Sequence, residues 1–508
     1  MRTATKRTIL AFAAALLVGG AAGEALASLS NTMGAGAKAT SMGGAFTAIA
    51  DDFSASYYNP AGLATVKHRE AVSGWLFGES SVLISGRGDN YQTNVSGPVL
   101  GNVFPFEVLG MKASFGLYNF WPKDGTRIAR IESANFDFAG GCSGGITGNC
   151  GGLASPGGRG VNLRIPTRIP QSVWLGNEQQ QHLDFVAGLG LRLNDYLYVG
   201  VGLRGNLNIK GDVNVDFTMN STGAGSLAPS PPGDGQFLGQ IDASPTFGWI
   251  IGALIDTQKG LKIGASWKEE ARTTFRQNLN SRTGLPTTGA LSIVIPVQGR
   301  LSVDTFFQPQ EATFGLAYDV NDRLSVAAEV GWQQWSRYRG NTLNGTFQGI
   351  QSFVVPPNQG PTGTGTVNFL PQPNNAMRNI WIQRYGIQYQ LKRVWRIRAG
   401  FARIPSVVKD PHSGVQTRIN DVNGNLLGFV TDEPAAADAD KQIWSLGMGI
   451  EQDDPFEWFE LPTTIDVTYQ FIKLQPTSFK TVDPNNPHGN FNLEGDQWIL
   501  WLTNTARF

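Results

Sequence analysis

The stretch LDFVAGLGLRLNDYLYVGVGLRGNLNIK, from Leu183 to Lys210, decides the fold. Its second half alternates strictly. Leu197, Val199, Val201 and Leu203 share one face of an extended chain, and Tyr198, Gly200, Gly202 and Arg204 share the other. Before it, Leu191-Arg192-Leu193 runs into the polar turn Asn194-Asp195. Period-two alternation means a strand between two different environments. The same pattern returns along the chain. Leu261, Ile263, Ala265 and Trp267 oppose Lys262, Gly264, Ser266 and Lys268. Trp395, Ile397, Ala399 and Phe401 oppose Arg396, Arg398, Gly400 and Ala402, and Trp444, Leu446, Met448 and Ile450 oppose Ser445, Gly447, Gly449 and Glu451. Each of these later apolar faces begins or ends in an aromatic, as an interface with lipid favours.

The spacing of these strands is uneven in a regular way. Tight turns fall near 107–110, 194–195, 257–260, 321–322, 392–393 and 453–462. Long irregular segments fall at 86–97, 122–170, 216–239, 280–304, 337–378, 404–441 and 475–496. Turns on one side and long loops on the other, over about fourteen strands, predict an all-β transmembrane antiparallel barrel. Closure also removes exposed sheet edges. A soluble sandwich gives no reason for every long loop to lie at one end.

Composition agrees. Charged residues make up 16% of the chain, aromatics 10%, and glycine contributes 63 of 508 residues. That is low charge and high glycine against the roughly 25% and 7% of average proteins. The formal net charge is zero, so there is no basic footprint for nucleic acid. Residues 1–27 carry Arg2, Lys6 and Arg7, the apolar run Ile9 to Ala22, and Ala25-Leu26-Ala27. This is the pattern of a cleaved secretory signal, too short in its apolar run for a spanning helix. In an exported chain Cys142 and Cys150 are expected to pair as a disulfide. No metal site completes around them, and no cofactor motif is present.

Between the leader and the first strand lies SMGGAFTAIADDFSASYYNPAGLA, Ser41 to Ala64. Its small residues and glycines, the Asp51-Asp52 pair and Asn59-Pro60-Ala61-Gly62 read as a compact plug inside the barrel. The domains expected are therefore a signal peptide (1–27), an N-terminal hatch (28–67) and a barrel with long outer loops (68–508). In order and spacing, Gly43-Gly44-Ala45-Phe46, Ala50-Asp51-Asp52, Asn59 to Ala64, Ile263 to Trp267, the Trp332 to Trp335-Ser336-Arg337 block and Arg398 to Phe401 resemble the FadL-type family of outer-membrane channels for long-chain fatty acids and other hydrophobic compounds. The resemblance implies a fourteen-stranded barrel in the outer membrane of a Gram-negative bacterium. It implies passive uptake: capture between outer loops, a deeper pocket against the hatch, and lateral exit into outer-membrane lipid through an inward kink of the third strand. Gly116 is the kink candidate, because glycine weakens strand pairing.

On that reading Asp51, Asp52, Asn59, Pro60 and Ala61 are the gating residues of the hatch. Arg204, Lys268, Arg396 and Arg398 sit on lumen faces by parity. They are candidates for a substrate carboxylate, or for ion pairs with Glu329, Glu451, Asp466 or the hatch aspartates. Phe217, Phe237, Leu238, Leu291 and Ile293 are candidates for the outer groove. The last strand, with Trp498, Leu500 and Leu502 and a terminal Phe508, resembles the signal read by the barrel-assembly machinery. The protein is expected to be a monomer and not an enzyme. The alternatives are an outer-membrane lipid hydrolase and a hydrophilic porin. Gly141 to Gly145 spells G-x-S-x-G, but lacks the strand and helix that a nucleophile elbow needs. A plugged lumen argues against the porin.

Overall fold

The computed structural model describes residues 33–85, 89–121, 126–127, 130–136, 169–175, 179–219, 233–241, 245–286, 292–338, 341–344, 346–348, 366–368, 377–408, 415–420, 426–432, 438–452, 463–479 and 491–508. Fourteen antiparallel strands close on themselves. They are β1 (Glu70–Ser85), β2 (Asp89–Val108), β3 (Met111–Phe120), β4 (Gln179–Arg192), β5 (Leu197–Met219), β6 (Pro245–Asp256), β7 (Leu261–Lys268), β8 (Glu311–Asn321), β9 (Leu324–Gln333), β10 (Ile380–Lys392), β11 (Trp395–Ile404), β12 (Lys441–Gln452), β13 (Thr463–Phe479) and β14 (Phe491–Arg507). The ring shuts where β1 pairs with β14, from Glu70 opposite Arg507 to Ser85 opposite Asn492.

The burial pattern inverts that of a soluble protein. On β12, Leu446 is 66% exposed and Trp444 is exposed beside it, while Ser445 is buried. On β13, Asp466, Thr468 and Gln470 are buried on the inner face. An apolar outer face and a polar inner one are what a lipid solvent selects. The turns at the short end are tight. Leu109 and Gly110 both adopt positive φ, 52 and 75°, the geometry that matches strand twist in a two-residue hairpin.

The opposite end differs from the sequence expectation. Residues 86–97 are not a long loop: β2 already begins at Asp89, paired with Ile84. In the 216–239 region, β5 continues to Met219 and Gly233–Ile241 pairs back onto it. In the 280–304 region, Ala271–Pro286 pairs with Ser292–Gln308. Beyond the lipid, an outward face need not be apolar, so alternation fades from the sequence while the backbone ladder goes on. The turn at 453–462 and both Cys142 and Cys150 lie outside the described residues.

The N-terminal segment lies inside the ring. Helix α1 (Ala37–Ser41) packs on β11–β14, and a 3-10 helix, Pro60–Thr65, packs on β3–β6. A short helix α2 (Ala55–Tyr58) lies between them in the chain. What lets it fit is glycine on the inner face of the strands. A Cβ at Gly400 would stand 2.0 Å from Gly43 N, and one at Gly200 would stand 2.3 Å from Ala61 N. Opposed pairs recur in register: Gly116 with Gly188, Gly200 with Gly252, Gly264 with Gly315, Gly386 with Gly400. Backbone therefore seats directly on backbone.

The outward placement of Leu446 predicts a depth-dependent penalty. Leu446→Arg is expected to cost about 2–4 kcal/mol if the site lies near the bilayer midplane. Denaturant titration of the protein folded into lipid vesicles measures it, with Leu446→Phe as the near-neutral control.

Candidate functional site

Asn59 is the joint of the N-terminal segment. It is fully buried and extended, with φ −158° and ψ 99°. An amide side chain offers an acceptor and two donors in fixed directions, and Asn59 uses all of them. Its Oδ1 accepts from Ala61 N at 3.2 Å, capping the 3-10 helix. Its Nδ2 donates to Thr47 O at 2.8 Å and to Ala253 O on β6 at 3.0 Å. Pro60 follows at the first helical position, where a missing N–H costs nothing. The Asn-Pro-Ala sequence thus caps a helix, ties it to a neighbouring turn and ties both to the barrel.

The two aspartates do different work. Asp51 is 41% exposed and pairs with Lys38 at 2.7 Å, within the segment and not with a barrel cation. Asp52 accepts from Ser54 N at 2.8 Å and Ser54 Oγ at 2.6 Å. Burial pushes the Asp52 carboxyl above its ordinary range, with the Asp51 charge adding to the rise and Lys38 opposing it. Burial likewise pushes the Tyr58 hydroxyl far up; it stays protonated and accepts from Ala35 N at 3.1 Å.

Facing the segment, the barrel carries a row of alternating charges. Glu329 on β9 takes Arg384 Nη1 at 2.7 Å with one oxygen. With the other it takes the N–H groups of Phe46 at 3.1 Å and Thr47 at 2.9 Å. Arg384 also reaches Glu311 at 3.4 Å, and Glu311 reaches Lys268 at 3.5 Å. The Lys268 ammonium lies 4.3 Å from the centroid of the Tyr57 ring, a cation–π contact back to the segment. A cavity of about 50 Å³ lies here, lined among others by Tyr57, Tyr58, Lys268, Glu311, Glu329 and Arg384. It has room for water and not for a long chain.

The other lumen candidates are also engaged. Arg398 meets Asp466 at 2.6 Å and Gln388 at 2.7 Å. Arg396 meets Glu451 at 3.0 Å. Arg204 donates to Gln308 Oε1 at 2.6 Å and to the Glu269 carbonyl. Sequence reasoning named Glu329 only as a counter-charge and missed Arg384, Glu311, Tyr57 and Tyr58. Inner-face parity on β10 and β8 was the available signal for Arg384 and Glu311. At Gly116 the ladder is unbroken: β3 pairs without a register shift with both β2 and β4. A Cβ there would stand 2.5 Å from Leu63 and 2.6 Å from Ser56 Oγ, so this glycine makes room for the segment. Phe217 lies in β5, and Phe237 and Leu238 lie in the strand paired to it. Ile293 lies opposite Leu285, and Leu291 is outside the described residues.

The opposite wall of the lumen carries an apolar patch, flanked by the buried polar residues Glu70, Ser80, Gln497 and Thr503. Val72 and Leu76 of β1, Val99 and Val103 of β2, and Ile499 and Trp501 of β14 are buried on the inner face. These side chains pack with Ala35, Phe46, Phe53 and Leu63 of the N-terminal segment in one apolar core.

Residues 168–428 match a family described as outer membrane protein transport protein (OMPP1/FadL/TodX). The chain belongs to this family. Relatives of the FadL/TodX type cover nearly all of it. Alkane uptake protein A of Marinobacter nauticus is 23% identical over 473 residues, 90% of this chain and 86% of that protein. A solved FadL homologue from Pseudomonas aeruginosa superposes with a TM-score of 0.60 at 16% identity, covering 93% of this chain and 98% of that one. The P. putida toluene transporter TodX gives 0.53 at 15% identity, covering 94% and 99%. The family match and the full-length relative place the chain among the hydrophobic-compound transporters of the outer membrane.

Asn59→Ala removes the cap and leaves the Thr47 and Ala253 carbonyls buried without that donor. A loss of about 1–3 kcal/mol is expected. Trypsin cleavage at Lys38 should quicken while the barrel keeps its heat-modifiable gel mobility.

Proposed function

We propose that this protein is a passive outer-membrane channel for hydrophobic compounds and that its preferred cargo is neutral hydrocarbon. The N-terminal segment is its hatch. Cargo is caught among the outer loops, moves down the apolar wall to the hatch, and leaves sideways into outer-membrane lipid. The observation that carries this reading is the two-sided lumen. Each buried methylene is worth about 0.8 kcal/mol, so the patch built of Val72, Leu76, Val99, Val103, Ile499 and Trp501, packed against the hatch at rest, can take up an alkyl chain once the hatch moves off it. No energy source is needed for transfer between two apolar environments. On the polar wall, Lys268, Arg384, Arg396 and Arg398 each lie within ion-pair distance of a protein carboxylate. A fatty acid would have to break one of these pairs to bind, and breaking a buried pair is costly. The alkane uptake protein among the relatives is in keeping with a neutral cargo.

A second reading keeps the fatty acid. Three cations, Arg204, Lys268 and Arg384, line the cavity, and a substrate carboxylate that displaced Glu311 or Glu329 could pair with one of them. The test is uptake of labelled hexadecane and labelled oleate by a host lacking its own channel of this kind. Hexadecane uptake that depends on the protein, with little oleate uptake, is the expected result. Dependence of oleate alone would move the cargo to fatty acids. Dependence of neither, with the barrel folded, would overturn the channel reading.

A further inference from the structure

We propose that Glu329 is the latch of the hatch, and that Phe46 to Ala50 is the part of the hatch it releases. The inference rests on reading the N-terminal segment as the closure of a transport channel. The Glu329 side chain is 2% exposed, and it takes two backbone N–H groups of one turn while Arg384 holds its other oxygen. Thr47 is gripped on both sides: Glu329 holds its N–H, and Asn59 Nδ2 holds its C=O. Three residues on, Ala50 has φ 34°, a left-handed conformation that a residue with a Cβ adopts only under constraint. Its N–H is tied to Phe46 O at 2.8 Å, and a Cβ at Gly62 would stand 2.0 Å from its carbonyl. A turn that stores backbone strain is therefore held at its start by one barrel carboxylate.

The rest of the hatch is held otherwise. Gly43 and Ala61 seat on barrel glycines, and Thr468 Oγ1 donates to Ala37 O at 2.6 Å. Asn59 Nδ2 donates to Ala253 O, Gln470 Nε2 donates to Thr40 O, and Lys268 lies over the Tyr57 ring; none of these contacts sets a barrel carboxylate on hatch N–H groups. Glu329 can switch, because Arg384 divides itself between Glu329 and Glu311. A shift of Arg384 toward Glu311 leaves the latch carboxylate without its cation. The charge row lining the cavity and the turn that closes it are coupled through that guanidinium.

Glu329→Gln keeps the size of the side chain. It leaves one oxygen for three donors and turns an NH2 toward them. The full-length variant, reconstituted in planar bilayers, is expected to show about 10- to 100-fold higher open probability for small ions than the parent, with unchanged heat-modifiable mobility. The milder Glu329→Asp, which keeps the charge and shortens the reach, should fall between. A second arm locates the opening. In a Cys142→Ser/Cys150→Ser background, Ala48→Cys with Gly315→Cys places the only two thiols where a Cβ at Gly315 would stand 3.5 Å from that of Ala48, within disulfide reach. Oxidation of this pair in the Glu329→Gln protein should return conductance to the parental level, and dithiothreitol should restore the leak. Unchanged conductance in either folded variant overturns the proposal. So does a leak that the oxidised crosslink leaves in place, which would put the opening elsewhere in the barrel. Conductance needs no hydrophobic cargo, so this result stands or falls separately from the uptake measurement.

Discussion

In lipid, a strand has nowhere to send its N–H and C=O groups except to another strand. Fourteen strands closing from β14 back to β1 meet that demand without leaving an edge. Everything else in the molecule follows from closing the ring. Closure forces every strand to show one face to lipid and one to a lumen too wide for facing side chains to fill. The first face must be apolar, and Leu446, Trp381 and Ile251 lie exposed on it. The second face must find partners for its polar groups in a space that is neither water nor a core.

The chain solves the inner problem by putting its own N-terminus there. Side chains on both surfaces would hold the two apart, so the barrel gives up Cβ atoms where they meet. That is why glycines oppose one another in register at Gly264 and Gly315 and at Gly386 and Gly400. Overpacking such a site would cost about 1–3 kcal/mol. Close seating then leaves a few inward polar residues to hold the N-terminal segment, among them Glu329, with Asn59 answering from the segment's side.

Much of this was legible in the sequence, for a physical reason. Lipid imposes period-two alternation on residues such as Trp444 to Ile450 whatever the rest of the fold does, so strands and turns could be read one at a time. Where lipid ends, that constraint ends, and Asp89 to Gly97 and Gly233 to Gly239 read as loops although their backbones pair. The abundance of glycine was visible, but its cause was not, because it depends on contacts such as Gly200 with Ala61 between distant parts of the chain. Asn59 could be singled out, since a cap is local. Arg384 could be set on the inner face by parity but not given its partners, which are Glu329 and Glu311 on two other strands.

The charge row and the apolar wall are two answers to one requirement. A channel for greasy molecules must hold them without dissolving them in water, and it must stay shut to ions when empty. An apolar lumen throughout would meet the first need and leave the hatch with no directional hold, because apolar contact is non-directional. A charged lumen throughout would fix the hatch and exclude the cargo. Dividing the walls resolves the conflict. β1, β2 and β14 carry Leu76, Val103 and Trp501, while β7 to β10 carry Lys268, Glu311, Glu329 and Arg384, neutralised against one another. Charges already satisfied within the protein make no claim on what passes along the other wall. The same row gives the N-terminal segment a directional contact, Glu329 on the N–H groups of Phe46 and Thr47.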